Sequence, residues 1–258
     1  MADAFYVPRG DDRYLPTAST VGPWTPDAQH FGPPSALLVR GLESIPASRD
    51  MLLARVTVEI LGPAPLTELT VRTALERPGR SVELLSAELV AGTTVVAKAA
   101  AWRIVTSDTT GVTVGAAAAP RPPEDCPEAD WPEGWHDGYL GAMEWRAAAG
   151  AIRAPGPATV WARQRVPLVD GEEPSPLQRL FTVADSGNGA SNELDMTRWW
   201  FINSELTVHV QRPPQGEWIG LDAHTVIGPL GVGTARSILH DTRGQVAAGS
   251  QALLVRER

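Results

Sequence analysis

A chain of 258 residues, 43% apolar and 20% charged, has an ordinary globular composition, neither disordered nor collagen-like, and is long enough for one large domain or two modest ones. Its formal net charge of −8 speaks against nucleic acid or an anionic membrane surface as a partner, because both demand a basic face, and no apolar run approaches the ~20 residues of a membrane span. The opening "MADAFYVPRGDDRYLP" has neither the basic nor the apolar region of a secretory signal, and the single Cys126 has no internal disulfide partner, so a reducing, cytoplasmic location is the expectation.

The first predicted element is a helix. In "GPPSALLVRGLESIP", Pro33 and Pro34 precede Ser35, and Leu37, Leu38 and Leu42 recur at helical spacing until Pro46 closes the segment. Strands follow. In "RVTVEI", Val56, Val58 and Ile60 alternate with Arg55, Thr57 and Glu59, the period-two pattern of an antiparallel strand that covers something on one face. Residues 106–140 are rich in Ala, Pro, Gly and acid, which is linker composition; Cys126 within them reads as an inert loop thiol.

A second helix is predicted in "SPLQRLFTVADSGNG". Leu177, Leu180, Phe181 and Ala184 occupy one face, and Gly187 and Gly189 supply the exit. The strands after it repeat those after the first helix. Residues 55–104 lie over 205–254 with a shift of 150, since 205 − 55 = 150, so that Thr57 falls on Thr207, Val58 on Val208, Val96 on Val246 and Ala97 on Ala247. Each half is therefore expected to be a helix on about four antiparallel strands, an α+β unit. The expected organisation is an N-terminal unit over 1–110, a linker over 111–140 and a C-terminal unit over 141–258.

The phrases "DAQHFGPPSALLVRGLE", "RVTVEILGP" and "PGRSVELLSAELV" resemble the acyl-CoA thioesterase II family, and the resemblance runs from about Val21 to Arg256. It implies a tandem (double) hotdog fold and hydrolysis of acyl-CoA, or a similar acyl thioester, to acid and free thiol. A place in fatty acid metabolism and no cofactor are also implied. The family holds its attacking water with an Asp, a Thr and a Gln. By resemblance these fall on Asp185, on Asn203 where the family has Thr, and on Gln251. A second departure is Pro33 in place of a glycine after Phe31 and Gly32; proline has no amide hydrogen to offer an oxyanion.

The residues carry their own chemistry. Thioester hydrolysis needs a nucleophile, a base and donors for the developing oxyanion, but no strong acid, because thiolate leaves easily. Asp185 ends a helix, where the macrodipole disfavours a carboxylate, and burial would raise its pKa further toward that of a useful base; the plainer alternative is a turn residue bonding the amides of "SGNG". Gln251 stands out in the small, apolar strand "QVAAGSQALLVR", and its repeat equivalent is Ala101, as expected if each tandem pair has one site. Asn203 completes the hydrogen-bond set. Phe31, Gly32 and Ser35, at the entry to the first helix, are the expected substrate-binding residues, with an amide near Gly32 on the thioester carbonyl.

Other motifs are missing. No G-x-S-x-G elbow or glycine-rich nucleotide motif occurs, and His30, His136, His209, His224 and His240 show no metal-ligand spacing, so no metal is expected. His30 reads as a capping or exposed loop residue. Of Trp199 and Trp200, at most one can line an acyl tunnel, since neighbours on a strand point to opposite faces. Two alternatives stand beside the hydrolase: an enoyl-thioester hydratase using Asp27 and His30, and a binding protein without turnover. Hotdog sheets commonly pair at their edges, so homo-oligomers are expected.

Overall fold

Leu37, Leu38 and Leu42 are fully buried, each contributing about 1.5–3 kcal/mol of hydrophobic stabilisation, because their helix is enclosed by sheet. The computed structural model describes residues 4–131, 137–151 and 154–258. The helix is α1 (Gly32–Ser44), with Phe31 at its N-cap. It starts just before the two prolines, which fall in the first turn, where a missing amide hydrogen leaves no helical bond unmade.

The strands of the first half are β1 (Tyr6–Pro8), β2 (Arg13–Pro16), β3 (Met51–Ile60), β4 (Leu69–Arg77), β5 (Val82–Ala91) and β6 (Thr94–Val105). The second half contains α2 (Gly138–Gly141), β7 (Met143–Ala149), β8 (Ala158–Gln164), α3 (Pro176–Ala184) and α4 (Gly187–Ala190), then β9 (Trp199–Asn203), β10 (Glu205–Val210), β11 (Ile219–Ile227), β12 (Val232–Asp241) and β13 (Gly244–Glu257). These strands form one 13-stranded sheet in the order β1-β2-β4-β5-β6-β3-β10-β13-β12-β11-β8-β7, with β9 beside β13. Read outward from the β3–β10 junction, both halves run alike: β3, β6, β5, β4 and β10, β13, β12, β11. Thr57 pairs with Thr207 at that junction, their hydroxyls 3.1 Å apart. Thr57 and Thr207 therefore sit at an internal twofold axis that relates each residue of the first strand set to the one 150 positions later.

Two helices fill the concave side of the sheet. α1 and α3 lie antiparallel: Glu43 near the end of α1 accepts from Ser175 Oγ and Gln178 Nε2 at the start of α3, both at 2.8 Å, while Gly32 at the start of α1 meets Thr182 near the end of α3. A Cβ at Gly32 would run into the Thr182 carbonyl. Gly32→Ala should therefore push the helices apart and cost about 1–3 kcal/mol, read as a lowered midpoint of thermal unfolding.

Local details depart from the expectations in two places. Gly187 and Gly189 form the short helix α4, and neither has a positive φ. The requirement at Gly187 is space, since a Cβ there would lie 2.7 Å from Ser237 Oγ and 2.9 Å from Gln251 Oε1. The segment between the halves is also more than a tether. Ala117 exchanges hydrogen bonds with Gln245, and the Trp161 indole donates to Arg121 O at 2.7 Å. Cys126 is buried, its thiol 3.2 Å from Pro122 O, and Tyr139 on α2 is fully buried in the core.

Candidate active site

Asp185 is the C-cap of α3 and is only 4% exposed. It is held from three sides. Asn203 Nδ2, at the end of β9, donates to Asp185 Oδ1 at 2.9 Å, and the Phe31 amide at the entry to α1 donates to the same carboxylate. Gln251 Nε2, on β13, donates to the Asp185 carbonyl at 3.0 Å and reaches Oδ1 at 3.4 Å, while its Oε1 accepts from the Asn188 amide at 3.1 Å. Burial dominates the electrostatics, since a desolvated carboxylate prefers its neutral form. The pKa is pushed up to about 6, with the bonds from Asn203, Phe31 and Gln251 pulling the other way.

The three residues named for the catalytic set thus lie together, whereas those named for substrate binding divide. Phe31 lines the cavity beside Asp185. Gly32 spends its amide on His30 Nδ1, at 3.0 Å. The expected contact between that amide and a thioester carbonyl is corrected accordingly, because the hydrogen is already committed. Ser35 is fully buried with its hydroxyl unpartnered, and it is not part of the cavity wall.

The cavity is about 430 Å³ and is lined by Trp24, Phe31, Ile60, Leu61, Trp200, Ile202 and Leu254 around the polar group of His30, Asp185, Asn188 and Asn203. Trp200 faces it, while Trp199 packs on a separate cluster around Phe201 and Leu253, so one tryptophan of the pair lines the cavity. Apart from Asp185 and His30, no ionisable side chain lines the wall among the described residues.

Sequence reading missed two neighbours of Asp185. The His30 ring is mostly buried, 12% exposed, with Nδ1 3.5 Å from Asp185 Oδ2. It caps α1 through the Gly32 amide, as one reading expected, but it faces the site instead of solvent. Its ring stacks on Tyr139 with centroids 3.8 Å apart and planes 8° from parallel. Tyr139 in turn donates to Thr182 O at 2.8 Å and lies 3.0 Å from Ser186 Oγ. Burial lowers the His30 pKa to about 3, so the ring is neutral. His30 stood next to a helix start, a signal available in the sequence; Tyr139 stood in linker-like composition and gave none. His136 lies outside the described residues. Among the described residues no cluster of His, Cys, Asp and Glu is arranged to hold a metal, and no helix is long and apolar enough to cross a membrane.

The internal twofold relates the site to a second place in the fold. Its mate lies where α1 ends and α3 begins, a second cavity of about 500 Å³ lined by Leu42, Ile45, Leu52, Leu53 and Leu177. There Leu53 holds the place of Asn203 and Ala101 that of Gln251, by the shift of 150. The acid in that cavity wall is Glu43, bonded by Ser175 and Gln178, and the amide side chains of Asn203 and Gln251 have no counterpart beside it at Leu53 and Ala101.

Residues 20–104 match the family model of the acyl-CoA thioesterase N-terminal domain, and residues 123–255 match that of the acyl-CoA thioesterase C-terminal domain. Similar solved structures include a protein of unknown function with a hot dog fold from Alicyclobacillus acidocaldarius, 15% identical, covering 98% of this chain and 97% of that one with a TM-score of 0.76. One from Novosphingobium aromaticivorans DSM 12444, provisionally described as a thioesterase, is 19% identical over 97% and 98% of the two chains with a TM-score of 0.73. The acyl-CoA thioesterase II TesB2 of Mycobacterium marinum is 14% identical over 98% and 96% with a TM-score of 0.68. At these identities the structures speak for the fold. A comparison with curated proteins gives no match. Matched by both domain models over most of its length and folded as two hotdogs about an internal twofold, the chain belongs to the acyl-CoA thioesterase family and is a thioester hydrolase.

Proposed function

We propose that the protein hydrolyses acyl-CoA to free acid and coenzyme A, with Asp185 as the general base for an attacking water. The observation that carries this is a buried carboxylate in the wall of a largely apolar cavity, its pKa raised to about 6 and its orientation set by Asn203, Gln251 and the Phe31 amide. The ionised Asp185 takes a proton from water as the oxygen attacks the thioester carbon. The carbon–sulfur bond then breaks, and the departing thiolate recovers the proton. Asn203 and Gln251 hold the carboxylate from one side; the Asn203 side-chain oxygen is the acceptor that would hold the water's second hydrogen.

The apolar wall of Trp24, Phe31, Leu61, Trp200, Ile202 and Leu254 suits an uncharged acyl group. Asn188 Nδ2, in the same wall, commits one hydrogen to Phe201 O at 2.9 Å. Its second hydrogen is the donor we assign to the carbonyl oxygen, worth several kcal/mol at the transition state if aligned.

Release of free thiol from short, medium, long and aromatic acyl-CoA esters tests the reaction. Turnover should rise with pH through about 6, where Asp185 ionises, and then level off. His30, held near 3, stays neutral across that range and adds no second limb. A profile flat through pH 6, or saturable acyl-CoA binding with no thiol release, would overturn the assignment.

A further inference from the structure

The cavity beside Asp185 has a closed end and an open one. Asp185 and Phe31 are buried, whereas Ile202 and Leu254 in the same wall are 37% and 51% exposed. On the paired strands β9 and β13, Ile202 lies opposite Leu254 and Trp200 lies opposite Arg256. Residues two apart on a strand share a face, so these four positions form one strip that leads out of the cavity. Just past β13, the Arg258 guanidinium stacks over the Trp200 ring, 3.8 Å from its centroid, and stands 5.8 Å from that of Trp24. Arg256 and Arg258 pair with no acidic side chain among the described residues; the ion pair beside them joins Arg198 to Glu257.

Resting on the hydrolase reading above, we propose that this strip seats the nucleotide of the carrier: the Arg256 and Arg258 guanidiniums bind the phosphates of coenzyme A, and Trp24 and Trp200 offer faces to its adenine. A guanidinium matches phosphate oxygens in geometry and charge, and an aromatic ring stacks on a base. Two unpaired cations also stand out on a chain of net charge −8, whose overall field repels a polyanion. The span fits. Trp200 is three residues from Asn203, which bonds Asp185, and that is roughly 10 Å of strand, within reach of the flexible pantetheine arm that joins the thioester sulfur to the phosphates. The thioester carbonyl then lies at Asp185, the arm crosses Ile202 and Leu254, and the phosphates stay at the exposed rim, where they meet the arginines without leaving water.

The test compares one plain acyl group carried on coenzyme A with the same group on pantetheine, which lacks the nucleotide, and adds a CoA ester whose acyl group ends in a carboxylate. Each is hydrolysed by wild type and by the double variant Arg256→Gln with Arg258→Gln. Both side chains are exposed, so the fold should be unaffected. Wild type should show a KM at least about tenfold lower for the plain CoA ester than for the pantetheine ester, at similar kcat, the scale of one charge-assisted contact. The variant should raise KM for acyl-CoA about tenfold and leave the pantetheine ester unchanged. Equal losses on the CoA and pantetheine esters, or no loss on either, overturn the assignment. So does a loss confined to the carboxylate-ended ester, which puts the acyl end at the arginines. Calorimetric titration with adenosine 3′,5′-bisphosphate reads the strip without turnover. Binding by wild type that weakens in the variant, with no ester hydrolysed, would keep the nucleotide seat and reject the hydrolase reading; no binding by wild type rejects the seat.

Discussion

Asp185→Asn is expected to lower thiol release from acyl-CoA by about 10²–10⁴-fold, the usual contribution of a positioned general base, and at the same time to stabilise the fold at neutral pH. Both effects have one cause. Burial raises the Asp185 pKa from the usual 3.8 to about 6, so ionising it costs more in the folded chain than in the unfolded one. Below about pH 3 the group is protonated in both states and costs nothing. As pH rises toward 6 the unfolded state ionises first, and the folded state loses ground. Above 6 the full penalty applies, about 3 kcal/mol for a shift of that size. An Asn of the same shape carries no charge to desolvate. The mutant should therefore unfold at higher denaturant than wild type at pH 7, and the gain should vanish near pH 3. His30 titrates with the opposite sense: with its folded pKa near 3, it favours the fold above about 6.5 and loses that contribution as pH falls toward 3. It is common to both proteins and cancels in the comparison. A mutant that keeps full turnover, or one that is less stable than wild type at pH 7, contradicts the assigned base or its burial.

Arg103→Leu should be among the most destabilising single changes in the chain, at about 3–5 kcal/mol. Glu83 points to the interior side of β5, in line with Leu85, Ala87 and Leu89. Arg103 on β6 answers it, with Nε 2.9 Å from Glu83 Oε2, and its remaining nitrogens donate to Ile45 O at 2.7 Å and Pro46 O at 3.0 Å. Both side chains are under a tenth exposed. One guanidinium therefore pairs a buried acid and latches the turn after α1 to the sheet. Removing it leaves a buried carboxylate without its cation and two carbonyls without donors. The double change Glu83→Leu with Arg103→Leu should recover much of the loss, because no unpaired charge is then buried, while the Ile45 and Pro46 bonds stay broken. Thermal unfolding of wild type, single and double mutants decides it. A single mutant within about 0.5 kcal/mol of wild type would mean that the pair contributes nothing net, as exposed pairs commonly do.

Local pattern was enough for α1 and α3 and for the four-strand sets β3 to β6 and β10 to β13, but not for β1, β2, α2, β7 or β8. The period-two alternation of "RVTVEI" and "ELTVHVQ", the leucines of α1 and the apolar stripe of α3 each report which face of a strand or helix is covered, and covering is a property of neighbouring residues. The repeat followed from the same patterns, and it led correctly to two helix-on-sheet units and to Ala101 as the counterpart of Gln251. Details that depend on space rather than period were out of reach. The extra turn at Gly187 follows from the closeness of Ser237 and Gln251, and Gly32 is required by a carbonyl on the other helix.

The sequence by itself determined that this chain is an α+β tandem repeat with an acid at one helix end and lone polar groups on two later strands. Only the tertiary structure decided what surrounds that acid. The antiparallel packing of α1 on α3 brings the entry of one helix to the end of the other, which turns the Phe31 amide and His30 toward Asp185. Tyr139, from a stretch that reads as linker, closes the far side of the histidine. Hydrogen bonds and burial among residues so distant in the chain have no local signature, because they depend on distances that exist only after the sheet has closed around both helices.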